Sequence, residues 1–264
     1  MSGLVLSALA GGVLRITLND AATRNSLSET MMAELSAALN TAAHDAAVRV
    51  IVLAAEGPAF SSGHNLKEIS AHRADADKGA AYFSALFQSC AELMLGVVQH
   101  PKPVIAEVKG LASAAGCQLV ASCDLAIAAE TARFCTPGVN IGLFCSTPMV
   151  ALSRNVSPKH AMEMLLTGDI FSAQDAARMG LVNRVVAAEA LSGSVMDLAG
   201  KIAAKSMVTV KTGKQAFYRQ LDLPLKEAYA YASRVMTENL LTRDAEEGIS
   251  AFIGKRPPQW SDES

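Results

Sequence analysis

Apolar positions along the chain recur with two periods, and the switch between them marks out the elements. Leu4 to Leu9 and Val13 to Leu18 alternate loosely about Ala10-Gly11-Gly12, and Gly-Gly between two such runs predicts a β-hairpin. Met31, Met32, Leu35, Ala38 and Leu39 keep a helical period. Ser26 and Glu29 are spaced as a capping box, so this helix is expected to open at Ser26 and run to about Ala46. Val48 to Ala55 is a short apolar run rich in β-branched residues, which predicts a buried strand ended by Glu56-Gly57-Pro58. A polar loop from Ala59 to Glu68 and a charged, mobile stretch from Ala71 to Gly79 are expected next. Ala80 to Val98 reads as a helix with Phe83, Leu86, Phe87, Cys90, Leu93, Met94 and Val97 on one face.

Val104 to Val108 and Asp124 to Ala129 read as strands flanking a helix from Ala114 to Ser122. Phe134 to Pro148 reads as a loop that mixes small, polar and thiol groups. Helices are expected at about 148–154, 158–167, 172–179, 188–206, 207–220, 225–241 and 244–253, with one late strand from Leu181 to Val186. The plan is an α/β chain whose strands stop near residue 190. It shows no repeat and no clean linker.

Composition narrows the function. Hydrophobic residues make up 51%, and the mean hydropathy of +0.26 suits a well-buried protein with subunit interfaces. No apolar run approaches the roughly 20 residues of a membrane helix. The net charge of −2, with no Lys/Arg cluster, argues against a nucleic-acid partner. The five cysteines have no C-x-x-C spacing, so reduced thiols in a cytoplasmic compartment are expected. No spacing suggests a bound metal or a separate cofactor.

The chemistry centres on Val108 to Val120. A strand feeds a helix through residues with almost no side chain, which lets a ligand approach the backbone. The first N–H groups of the helix have no intrahelical partner and sit at the positive end of its dipole. Such a turn is either a tightly packed corner or a site for an oxygen that becomes anionic during reaction.

Several segments resemble the enoyl-CoA hydratase/isomerase (crotonase) superfamily. They are Pro103 to Gly110 with Ala115 to Leu119 and Cys123-Asp124, Arg24 to Leu27, Phe60 to Glu68, Leu166 to Gly168 with Ala173 to Ala176, Gly180 to Val182, and Glu247 to Phe252. They cover nearly the whole chain in family order. The resemblance implies a spiral of ββα turns over residues 1–190. It also implies a helical trimerisation and CoA-covering region over residues 191–264, in a homotrimer or dimer of trimers. It implies an acyl-CoA thioester as ligand, with coenzyme A as part of the substrate. By position, the backbone N–H groups of His64 and Ala115 form the oxyanion hole, which makes His64 a backbone contributor first. Its side chain reads as a partly exposed loop histidine without a chemical role. Most family members have Gly where Ala115 stands. By the same resemblance Arg24, Ser26, Ser62, His64, Asn65 and Leu66 hold the nucleotide and pantetheine, and Phe252 and Lys255 reach a neighbouring subunit's CoA.

The resemblance breaks at the catalytic acids. Hydratases of this family use two glutamates, and this chain has Gln118 and Gly138 at those positions. An amide orients water but does not exchange a proton near neutral pH. Asn140, Cys145 and Ser146 follow in the same loop. A thiol or hydroxyl beside a thioester suggests thioesterase chemistry; alternatively Cys145 is a packed hydrophobe and Ser146 a helix cap. A third option is a binding protein that keeps the pocket without the acids. Glu68 and Glu107 remain as candidate carboxylates, against ordinary salt-bridge or surface roles for both.

Overall fold

The computed structural model describes residues 3–262. The opening hairpin pairs β1 (Val5–Ala10) with β2 (Val13–Leu18), register Ala10 to Val13. Gly11 and Gly12 both have positive φ at its tip, the conformation a two-residue hairpin turn requires. The first helix, α1, is Glu29–His44. Its cap is Ser28, whose side chain accepts from the Met31 amide, and not Ser26. Ser26 is turned inward and donates to the Thr23 hydroxyl instead.

From β3 onward the chain repeats one path three times. It crosses a large sheet, then a small sheet, then turns into helix. The first pass is β3 (Val50–Ala55), β4 (Ala59–Ser61), a short α2 (Leu66–Ala71) and α3 (Ala80–Val98). The second is β5 (Val104–Val108), β6 (Leu111–Ser113) and α4 (Ala115–Ser122). The third is β7 (Leu125–Ala129), β8 (Arg133–Cys135), α5 (Ser146–Asn155) and α6 (Pro158–Thr167). After these come β9 (Phe171–Ser172), α7 (Ala173–Met179) and β10 (Arg184–Val186). The large sheet has the order β1-β2-β3-β5-β7-β10, parallel except for the hairpin. The small sheet runs β4-β6-β8-β9.

Both faces of the large sheet are covered, which is why its strands read as continuous apolar runs. Ile16, Leu18, Ile51 and Leu53 face a core shared with α1, α3 and α4. Val13, Val50, Val52, Ile105 and Ile127 face Leu191, Val195 and Ala199 of α8 (Leu191–Ala203). The helix after residue 190 therefore completes the core. Three further helices, α9 (Met207–Leu221), α10 (Leu225–Leu240) and α11 (Arg243–Ile253), pack on one another.

The 71–79 stretch is more structured than its composition suggests. His72 stacks on Tyr82 with ring centroids 3.6 Å apart, and Asp77 accepts from the Gly79 and Ala81 amides. The helix α3 has the length and apolar composition of a membrane span, which no uninterrupted apolar run in the sequence had suggested. One of its faces, with Leu86, Cys90, Leu93, Met94 and Val97, belongs to the core.

His100 is 4% exposed at the foot of β5. The Lys102 amide donates to its Nδ1, so Nε2 carries the proton and donates to the Leu39 carbonyl at 3.0 Å. Burial holds its pKa below the ordinary histidine value. The unfolded chain takes up a proton near the ordinary value of about 6.5 while the native state resists it. This contribution to stability is complete above that pH and is lost progressively as pH falls toward the folded value. His64, lowered by burial in the same way, adds to the slope. Thermal unfolding between about pH 6.5 and 5 should show a falling midpoint, with a smaller fall in His100→Gln.

Candidate functional site

The small sheet carries the site. Ser61 ends β4, and Gly63 turns the chain at φ +87°. A Cβ on Gly63 would lie 3.0 Å from the Ser113 carbonyl and 3.4 Å from the Ala115 nitrogen, so this loop rests directly on the entry to α4. One residue on, a Cβ at Gly116 would stand 2.4 Å from the Ser61 carbonyl. Only glycines permit two backbones this close. The Gly63 amide donates to Ser61 Oγ, and its carbonyl accepts from the Leu27 amide at 2.8 Å. Leu27 and His64 thus form a single parallel bridge, which leaves the His64 N–H facing away from Leu27.

Ala114 precedes α4 at φ 49°, ψ −116°, a conformation that costs an alanine on the order of 1–3 kcal/mol. Its own N–H is held by the Cys135 carbonyl at 2.9 Å. The strained turn sets the Ala115 N–H at the start of α4, where no intrahelical acceptor exists. Among the described residues, neither the His64 nor the Ala115 amide has a protein acceptor. N–H groups of this kind, left without an acceptor on abutting segments, can stabilise an oxyanion.

The side chains around this pair are sparing with charge. Gln118, one turn into α4, is 4% exposed, and its Oε1 is buried without a partner. The Ala114–Cys135 contact places the next turn, Pro137–Ile141, against the same corner. Gly138 lies in it with negative φ. A Cβ there would stand 2.7 Å from the Leu143 carbonyl and 2.9 Å from Cys145 Sγ, so space and not backbone conformation demands glycine. Cys145 is buried, and burial pushes its thiol pKa up, which keeps it protonated and weakly nucleophilic. Ser146 opens α5 without capping it, and its hydroxyl reaches only the Phe144 carbonyl, at 3.4 Å. No histidine or carboxylate hydrogen-bonds either residue among the described residues. Asn140 is exposed.

Other expected positions separate into two groups. Arg24, exposed at φ 58°, Ser62, Asn65 and the exposed Leu66 surround the Gly63 loop. Ser62 is tied to Arg24 by its amide, and Asn65 caps α2. Ser26 faces inward. Phe252, 85% exposed, and Lys255 lie on and after α11, away from these loops within the chain. Of the spare carboxylates, Glu107 is bound on both oxygens by Arg15 at 2.6 Å, and Glu68 is hydrogen-bonded by Asn65. Sequence reasoning missed Asn25. It is fully buried at φ 53°, and its amide donates to the Glu56 and Ala59 carbonyls, bracing the Arg24 loop on β4. The signal was available, since Asn accepts the left-handed conformation more readily than most residues.

Comparison with known proteins agrees with this architecture. The family model for enoyl-CoA hydratase/isomerase matches residues 9–263. The chain is 49% identical over 250 residues to the mitochondrial enoyl-CoA hydratase domain-containing protein 3 of Mus musculus, covering 95% of this chain and 82% of that protein. It is 33% identical to the 2,3-dehydroadipyl-CoA hydratase of Escherichia coli, with 94% of each covered. Among solved structures, an enoyl-CoA hydratase of Mycobacterium smegmatis superposes with a TM-score of 0.94 at 49% identity, covering 98% of this chain and 99% of that one. The human enoyl-CoA hydratase domain-containing protein 3 superposes with a TM-score of 0.93 at 46% identity, covering 97% and 100%. Relatives of that group from mouse, rat and human are all named mitochondrial, which overturns the expectation of a cytoplasmic compartment. Free thiols mark a reducing environment and do not tell one reducing compartment from another. The chain has the crotonase fold and belongs to the enoyl-CoA hydratase/isomerase family.

Proposed function

We propose that this protein binds an acyl-CoA thioester and polarises its carbonyl with the backbone N–H groups of His64 and Ala115. The observation that carries the reading is that pair of unpaired amides, set on abutting segments by Gly63 and by the strained Ala114. Two backbone donors aimed at one oxygen stabilise an enolate or tetrahedral oxyanion whatever acid or base completes the reaction. Relatives named as CoA hydratases support the thioester as ligand. With Gln118 and Gly138 in place of carboxylates, the polarised thioester has no strong proton carrier there, so hydration is weak.

In this reading Arg24 neutralises a phosphate of the CoA nucleotide. The exposed Phe217, Leu221, Leu225, Tyr229 and Met236 of α9 and α10 form the contact of a trimer or a dimer of trimers. That assembly would bring Phe252 and Lys255 of one subunit over the CoA of the next.

Calorimetry with acetyl-, butyryl-, hexanoyl- and decanoyl-CoA should give micromolar binding for at least one, weakened several-fold by Arg24→Ala. Light scattering on the same sample should give three or six copies. No heat with any of the thioesters would remove the CoA reading, and a monomer at micromolar concentration would remove the proposed assembly.

A further inference from the structure

Asn25 sits where two segments of the site are joined, with its side chain fully buried. Its side-chain oxygen accepts from the Asp20 amide at 2.8 Å, and its nitrogen donates to the Glu56 and Ala59 carbonyls, each at 2.8 Å. The partners fix which end is which, since an N–H faces the oxygen and two carbonyls face the nitrogen. Arg24 and Asn25 are consecutive non-glycine residues with positive φ, 58° and 53°. Such a pair persists only where its surroundings over-determine it, and the Asn25 amide supplies that constraint.

Leu27, two residues on, steers the oxyanion donor. Its N–H donates to the Gly63 carbonyl at 2.8 Å. That carbonyl and the His64 N–H belong to one trans peptide plane and point in opposite directions. The Leu27 bond therefore sets the direction of the His64 N–H. The Leu27 carbonyl also accepts from His64 Nδ1 at 3.3 Å, so this nitrogen carries the ring proton, and the ring meets Phe87 of α3 edge-on. The Gly63 turn descends from Ala59 at the start of β4, the residue whose carbonyl Asn25 holds. One buried amide thus ties both sides of the Leu27–His64 bridge. Ser62 adds two bonds across the same seam, its amide to the Arg24 carbonyl at 3.0 Å and its hydroxyl to the Thr23 carbonyl at 3.1 Å.

We infer that Asn25 is a positioning residue for oxyanion stabilisation. It touches no substrate and acts by keeping the Leu27 N–H on the Gly63 carbonyl, so that the His64 N–H stays aimed at the thioester oxygen. The inference rests on the acyl-CoA reading above and names what sets the geometry of one donor. Asn25→Asp isolates the effect. It keeps the side-chain shape, the oxygen toward Asp20 and the tolerance of left-handed backbone. It also puts a second oxygen where the nitrogen stood, 2.8 Å from two carbonyls. Three acceptors without a donor repel, so the 23–27 segment moves off β4 and takes Leu27 with it.

Two measurements test it. In the ligand-free protein the Leu27 amide should exchange with deuterium at least about tenfold faster in Asn25→Asp than in wild type, because its bond to Gly63 opens more often. With saturating butyryl-CoA labelled with carbon-13 at its carbonyl, difference infrared spectroscopy reads the polarisation itself. The thioester stretch on wild type should lie below that of the free thioester. Asn25→Asp should lose roughly half of that displacement, one of two donors being misaimed. Lys214→Met is the control for a merely structural loss, and it should lower the unfolding midpoint while keeping the full displacement. Unchanged Leu27 exchange in Asn25→Asp overturns the inference. A full displacement in that variant overturns it too and leaves the acyl-CoA reading in place. Asn25→Gly accepts positive φ and admits water in place of the amide, so it should behave in the same way and stands in if Asn25→Asp does not fold. If neither variant folds, Asn25 is a requirement of the fold and the positioning role is overturned. If wild type binds no thioester, both readings fall.

Discussion

Crotonyl-CoA should be hydrated by this protein at least about 10²-fold more slowly than by a family member with both glutamates, because a positioned acid or base contributes roughly 10²–10⁴-fold. Gln118→Glu alone should recover less than about tenfold of that deficit. The new carboxyl would occupy a site 4% exposed, where desolvation raises its pKa and keeps it neutral, and the opposite partner would still be absent. Restoring the second glutamate is blocked by packing. A side chain at Gly138 meets the Leu143 carbonyl at 2.7 Å and Cys145 Sγ at 2.9 Å, and the carbonyl cannot rotate away as a side chain could. Gly138→Glu should therefore destabilise the fold by about 1–3 kcal/mol as an overpacked core does, visible as a lowered unfolding midpoint, before its catalysis can be judged. Steady-state hydration followed by loss of enoyl absorbance decides the matter. A wild-type rate equal to that of a two-glutamate enzyme, unchanged in Gln118→Ala, would show that another residue moves the proton.

Replacing Lys214 with Met should lower stability by roughly 3–5 kcal/mol, the loss seen when one partner of a buried ion pair is removed. Lys214 projects from α9 into the core, where its ammonium donates to Asp124 Oδ2 at 2.7 Å and to the Val97 and Lys102 carbonyls at 3.2 and 3.1 Å. Asp124 also accepts from Tyr218 and from the Val104 amide. Burial pulls the Lys214 pKa down against the attraction of Asp124, so much of the charge pairing is spent on desolvation. Lys214→Met removes the lysine's own desolvation cost but leaves the Asp124 carboxylate largely buried without its counter-charge. In the same stroke α9 loses its links to the Val97 and Lys102 carbonyls and keeps only the Tyr218 hydrogen bond to Asp124 among the polar contacts named here. The unfolding midpoint should fall by on the order of 10 °C, given about 2–4 °C per kcal/mol in a chain approaching this size. Arg178→Ala supplies the contrast. Arg178 is itself exposed and pairs with the half-buried Asp175 one turn earlier on α7, and such surface pairs contribute about 1 kcal/mol or less. Equal midpoints for Lys214→Met and wild type would show that α9 is held by its apolar contacts and the Tyr218 hydrogen bond without the ammonium.

Local chemistry explains which parts of this protein were legible in sequence. The strand Val104–Val108 and the helices Ala80–Val98 and Pro158–Thr167 end where apolar periodicity, proline and glycine place them. The motif residues were enough to place the chain in its family, and Gln118 and Gly138 are read as standing at glutamate positions through that resemblance. The three-residue strands β4, β6 and β8 were invisible, because so few residues cannot show a period of two. Without them the ββα repeat does not appear, since its units share geometry and not residues. The turn at Gly138 was legible as glycine, but its cause was not. A positive φ is a local property that a Pro-Gly pair can suggest, whereas contact with Leu143 and Cys145 exists only once the chain has folded back.

The histidine shows the same division most clearly. Sequence by itself determined the fold class and the family, because both are written in local residue types and their order; the roles proposed for His64, Ala115, Gln118 and Gly138 come through the family resemblance. Only the tertiary structure decided that Ala114 is strained, that α8 belongs to the core, and that the His64 ring is half-buried with one nitrogen on Leu27 and the other unpaired. Hydrogen-bond partners and desolvation come from residues such as Leu27 and Phe87, tens of positions away in the chain. An imidazole's tautomer and pKa depend on those neighbours, which the order of residues around His64 does not contain.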